Sequence, residues 1–147
     1  MKRLDVVSDN DSIRRFFSAG CFAVGGASNR RQKFGNKIFR ALNGVYSNVF
    51  PLNPVADVVE GTVAYPNLLS LPLIPESLCV VTPPEITLGM TKDAISLGVQ
   101  NVWIQPGAEH PRATELLKES DVNFIGDGWC VLVELGKLNL FEGGLQS

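Results

Sequence analysis

The sequence is poor in the residues that most enzymes use for metal or nucleophilic chemistry. It has a single histidine, His110. That leaves no second imidazole for a zinc site, and no HExxH or GxSxG motif is present. Cysteine is scarce and odd in number: Cys21, Cys79 and Cys130. They lack CxxC spacing, which argues against both a disulfide framework and a zinc ribbon. They read as small apolar core residues in a reducing, cytoplasmic setting. Charged residues make up 19% and the net charge is -2, so no electrostatic footprint for nucleic acid exists. The densest basic cluster is Arg30, Arg31 and Lys33, too small for a duplex and suited to a local anion site. No apolar run reaches the length of a membrane span, and the amino-terminal stretch has no apolar core of a secretory signal.

What is present is a core-forming chain of 147 residues with 45% hydrophobic residues, the size of one domain. Short apolar runs alternate with amphipathic stretches. Residues 9–19 read as a helix, with Ile13, Phe16 and Phe17 on one face and Gly20 as the stop. Residues 21–24 read as a buried strand ending in Gly25-Gly26, and residues 35–43 as a helix with Ile38, Ala41 and Leu42 aligned. A second strand, residues 49–52, closes at Asn53-Pro54. Residues 55–76 are irregular, with a short strand near Val63 and a helical turn at 67–71. Strands follow at 78–81, 102–104 and 123–125, separated by a helix ending near Leu97 and another containing Ala113, Leu116 and Leu117. Residues 130–141 form a tail read as an added strand, without an assigned place.

This alternation predicts an α/β, Rossmann-like three-layer sandwich: a mostly parallel sheet with helices on both faces. Right-handed crossovers bring the strand ends to one edge, where ligands of such folds bind. The turns there carry the candidate site: Gly25, Gly26, Ala27 and Ser28, then Asn53 and Pro54, then Thr82, Pro83 and Pro84, then Gln105 and Gly107. Gly25 and Gly26 permit a tight turn and close ligand approach. The helix that follows offers unpaired N–H groups and a positive dipole end to phosphate, with Ser28, Arg31 and Lys33 as added donors. The pattern stops short of a full GxGxxG. Asn53 stands where NAD-binding domains usually carry a carboxylate on the ribose hydroxyls, which admits a ligand with an extra phosphate, as in coenzyme A or NADP. Pro83 and Pro84 make a stiff apolar wall. Tyr65 is placed to stack on a base, and Gln105 to bond an amide of a pantetheine arm. Plain turn, cap and core roles remain open for all of these residues.

The stretches Gly26-Ala27-Ser28, Lys33-Phe34-Gly35-Asn36, Pro51-Leu52-Asn53-Pro54, Thr82-Pro83-Pro84-Glu85 and Trp103-Ile104-Gln105-Pro106-Gly107-Ala108-Glu109 resemble the motifs of small CoA-binding domain proteins. Those are single-domain relatives of the amino-terminal domain of the succinyl-CoA synthetase alpha subunit. The resemblance runs from about residue 14 to residue 135. It implies one domain over residues 1–147, with a helical extension at 1–19 and a tail at 135–147. It also implies coenzyme A or an acyl-CoA at the strand ends: phosphates near Ser28 and Lys33, the nucleotide towards Asn53, Pro54 and Tyr65, and a pocket wall of Thr82, Pro83 and Pro84. The phosphohistidine domain of the synthetase has no counterpart here, so no complete catalytic site is expected. Glu85 and Glu109 read as helix-start carboxylates. An NAD(P)-linked oxidoreductase or redox sensor, and a scaffold with a vestigial pocket, are the competing readings. The partner expected is a small nucleotide ligand, with no nucleic acid or membrane; the end strands leave room for a homodimer or a partner subunit.

Overall fold

The structure, a computed structural model, describes residues 8–146. Five parallel strands form one sheet: β1 (Phe22–Gly25), β2 (Val49–Leu52), β5 (Ser77–Val80), β6 (Asn101–Ile104) and β7 (Asn123–Ile125). Their order across the sheet is β2-β1-β5-β6-β7. The helices are α1 (Asp9–Phe17), α2 (Phe34–Asn43), α3 (Pro84–Leu97), α4 (Pro111–Glu119) and α5 (Val131–Gln146). A small antiparallel hairpin, β3 (Val58–Val59) with β4 (Thr62–Val63), and a 3-10 turn at Leu68–Ser70 fill the stretch after β2. This is the Rossmann-like α/β architecture that the alternation predicted.

The strands read as unbroken apolar runs because both faces of the sheet are covered. Successive residues alternate between two cores. Phe22, Val24, Cys79, Trp103 and Ile125 pack with α1, α2 and the start of α5. Ala23, Leu78, Val80, Val102 and Ile104 pack with α3 and α4. Trp103 is fully buried, with its ring centroid 5.1 Å from that of Phe16, and its Nε1 donates to the Trp129 carbonyl at 2.9 Å. Helix α2 lies on one face and α3 and α4 on the other. The direction of winding therefore reverses between β1 and β5, which creates the crevice where ligands of open α/β sheets bind.

Two expectations need correction. Within the run from residue 130 to 141, residues 131 onward form the first part of α5, not an added strand. Val131 and Leu135 lie in the core with Leu132 and Leu138 packed against it, whereas Val133 faces water. The short strand expected near Val63 is present as β4, and it pairs with β3 in a hairpin. Strands β5 and β6 begin one residue earlier than their apolar runs, at Ser77 and Asn101.

Those polar residues are buried in a row at the amino-terminal edge of the sheet. Ser77 Oγ donates to the Phe16 carbonyl at 2.8 Å, and Asn101 Nδ2 donates to Ser77 Oγ at 3.0 Å. Asn123 Nδ2 donates to Asn101 Oδ1 at 3.0 Å and to the Ser12 carbonyl at 2.9 Å. The row fastens α1 to three adjacent strands. No helix among the described residues is long and apolar enough to cross a membrane.

Candidate functional site

At the opposite, carboxy-terminal edge, four strand-end loops and the start of α2 enclose an open cleft of about 550 Å³. Its walls are Gly26–Ser28 after β1, Asn53 and Pro54 after β2, residues 81–83 after β5, and residues 106–108 after β6. Residues 32–35 close it from the α2 side.

The loop after β1 is held from every direction. Gly26 has φ +92, which suits only glycine without strain, and a Cβ there would lie 2.6 Å from the Val81 carbonyl oxygen. Asn36 is fully buried; its Nδ2 donates to the Ser28 carbonyl at 2.7 Å and to Glu60 at 2.8 Å. Arg40 Nε donates to Asn36 Oδ1 at 2.7 Å. Glu60 sits at the tip of the β3–β4 hairpin and also takes Arg31 at 3.0 Å. Hydrogen bonds from Arg31 and Asn36 hold the Glu60 carboxyl down to about 2, and Glu60 in turn raises the Arg31 guanidinium above its usual range. Asn29 completes the latch, donating to the Val58 carbonyl at 2.8 Å and accepting from the Glu60 N–H at 3.0 Å.

The first turn of α2 reaches the cleft with its backbone donors free of any side-chain cap. Lys33 occupies the cap position and supplies no acceptor. Phe34 and Gly35 follow as the first helical residues. The orphan N–H groups and the dipole of this helix make a positive end suited to a phosphate.

The residues singled out in the sequence divide into two groups. Gly26, Ala27, Ser28, Lys33, Asn53, Pro54, Thr82, Pro83 and Gly107 line the cleft. Gly25, Arg31, Tyr65, Pro84 and Gln105 lie outside its lining. Gly25 makes room for Met90, whose Sδ would overlap a Cβ there. Tyr65 packs its ring on Phe50 at 5.8 Å, and its backbone extends the edge of β2 by bonding Pro51 and Asn53. Pro84 opens α3. Gln105 is buried and spends its amide on Cys130 Sγ at 3.1 Å and the Val131 N–H at 3.0 Å.

Some lining residues are also engaged. Asn53 Oδ1 accepts from the N–H groups of Val55 and Ala56, and its Nδ2 donates to the Ala27 carbonyl at 2.9 Å. Its side chain ties the second turn to the first. Ser28 Oγ accepts from the Arg30 N–H at 3.0 Å, making a turn rather than a cap on α2. Thr82 and Thr87 share a hydroxyl bond at 2.8 Å. His110 caps α4, with its Nδ1 accepting from the Arg112 N–H at 3.1 Å.

Sequence reasoning gave no separate role to Asn36, Glu60 and Phe34. Asn36 and Phe34 stood only as letters in the Lys33–Asn36 stretch. Glu60 carried no local signal, because its partners lie 24 and 29 residues away.

Residues 21–136 match the family model described as a CoA binding domain. Among solved structures, the chain is similar to a conserved hypothetical protein of Pyrococcus furiosus, with 33% identity and TM-score 0.71 over 78% of this chain and 97% of that one. A Thermus thermophilus protein matches at 27% identity and TM-score 0.79, over 90% of this chain and 99% of that one. The dinucleotide-forming acetyl-coenzyme A synthetase 1 of Candidatus Korarchaeum cryptofilum matches at 30% identity and TM-score 0.55. That match covers 58% of this chain and 19% of the synthetase.

Proposed function

The chain belongs to the family of CoA-binding domains, and from that premise we propose that it binds coenzyme A, free or acylated, in the cleft at the carboxy-terminal edge of the sheet. The observation that carries this reading is the uncapped start of α2 beside the Gly26 turn, in the wall of an open cleft. Backbone N–H groups in that position favour a pyrophosphate. Lys33 adds a point charge at the same wall, and Pro54, Pro83 and Pro106 supply rigid apolar surface for the uncharged part of the ligand.

The reading is that of a binding module. Asn53, Ser28 and Thr82 spend side-chain bonds on holding the cleft's loops together, which leaves backbone donors, the Gln32 amide and exposed cations to meet a ligand. Asn53 in place of a carboxylate leaves the second turn without a charge that would repel a third phosphate.

Calorimetric titration of the purified protein with CoA, NAD and NADP tests the proposal. CoA should bind tightest. Tightest binding of NAD would overturn the reading, and silence with all three would leave a scaffold with a vestigial pocket. Lys33→Ala should weaken CoA binding by about 1–3 kcal/mol, the worth of a charge-assisted contact. Unchanged affinity would remove Lys33 from the site.

A further inference from the structure

Phe34 stands apart from the core phenylalanines. Phe16, Phe17, Phe22 and Phe39 are at most 5% exposed, whereas Phe34 leaves 56% of its surface in water. It is the first residue of α2 and lines the cleft. A wet phenyl ring forgoes much of the favourable free energy of burial, and on the cleft wall it offers that surface to whatever occupies the cleft. Lys37, one turn further along the same helix, holds its Nζ 5.5 Å from the centre of the ring. Among the described residues neither Lys33 nor Lys37 forms an ion pair, while nearby Arg31 is already committed to Glu60. A flat apolar surface and an unpaired cation therefore lie together at the start of the helix whose backbone donors face the cleft.

We propose that Phe34 and Lys37 read the nucleoside end of the ligand. The ring stacks on the purine, and the ammonium meets the phosphate on the ribose beside it. This rests on the CoA reading of the cleft and adds to it the subsite that tells CoA from its dephosphorylated form. Two observations favour the nucleoside over the pantetheine arm. That arm is uncharged, so a lysine beside the ring would gain nothing from it. The amide of Asn53, the group at the end of β2 where a ribose contact is expected, is neutral and already makes three bonds within the loops. A cationic contact to the ribose phosphate then comes from another wall.

The test is calorimetry of wild type, Phe34→Ala, Phe34→Trp and Lys37→Ala with CoA, dephospho-CoA and 4′-phosphopantetheine. Both side chains are exposed, and circular dichroism checks that the variants remain folded. Phe34→Ala should weaken CoA and dephospho-CoA alike, by roughly tenfold as for loss of one stacked base. It should leave 4′-phosphopantetheine unchanged, and Phe34→Trp should restore the nucleotides. Lys37→Ala should weaken CoA by about tenfold, as for loss of one charged contact, and spare dephospho-CoA. An equal loss for all three ligands, or none, in Phe34→Ala would overturn the stacking assignment. An equal loss for CoA and dephospho-CoA in Lys37→Ala would overturn the phosphate assignment. If wild type fails to bind CoA at all, the function proposed above falls together with this subsite; if it binds and the variants match it, only the subsite falls.

Discussion

Gly35 lies against Gly26 so closely that a methyl group on Gly35 would overlap the Gly26 carbonyl oxygen. The first turn of α2 thus rests directly on the turn that ends β1, backbone on backbone. The pair sets how near the helix's free N–H groups come to the cleft.

Gly35→Ala should therefore cost both stability and ligand. A carbonyl cannot swing aside as a flexible side chain does, and overpacking of this kind costs about 1–3 kcal/mol. The denaturation midpoint should fall, and CoA affinity should fall with it because the loop moves. A variant that unfolds at the wild-type midpoint would show that the helix can slide without penalty.

Glu60 predicts an acid-sensitive latch. Its carboxyl is held at about 2 in the folded protein against an ordinary 4.5, first by the Arg31 hydrogen bond and then by Asn36. A depressed carboxyl stabilises the fold above its unfolded value, and that contribution is lost as pH falls from about 4.5 towards 2. Melting temperatures measured across this range should drop less steeply in Glu60→Gln, which carries no titrating charge, than in wild type. Parallel curves would mean that the latch contributes nothing to acid stability.

The polar row at the far edge of the sheet should matter for folding alone. Asn101→Ala removes the donor to Ser77 and the acceptor of Asn123, all three of them buried. Stranding those partners should cost about 1–3 kcal/mol. Affinity for CoA, measured below the unfolding transition, should stay at the wild-type value; a parallel loss would couple the two edges.

The thiols should react in an order set by burial. Cys79 is fully buried, and desolvation first, then the nearby Cys130, raises its thiol far above the ordinary range. Cys21 is raised as well, chiefly by burial. Cys130 is half-buried. A thiol reagent at mildly alkaline pH should label Cys130 first and Cys79 only on unfolding, as peptide mapping by mass spectrometry would show. Early labelling of Cys79 would contradict the packing of β5.

The sheet was legible because its strands are covered on both faces. Leu78-Cys79-Val80 and Val102-Trp103-Ile104 have no polar position that could face water, and their turn residues mark the ends. The polar residues that open those strands were not legible. Ser77 and Asn101 carry no local sign of burial, because the bonds that hold them, Asn101 to Ser77 and Asn123 to Asn101, run across the sheet. Helix α5 was misread because Val131, Leu132 and Val133 run together and include two β-branched residues, a pattern that buried helices and strands share. At the cleft, the loops that meet could be read from the strand ends. The direction of each side chain could not: Gln105 follows β6 yet turns to Cys130, and Tyr65, in the stretch after β2, turns to Phe50.

Gln105 grips the chain on both sides of the start of α5, through Cys130 and Val131, and is followed directly by the loop that walls the cleft. The start of the last helix is thereby stitched to the strand end that carries the cleft's wall, and one buried side chain serves two distant stretches of sequence at once.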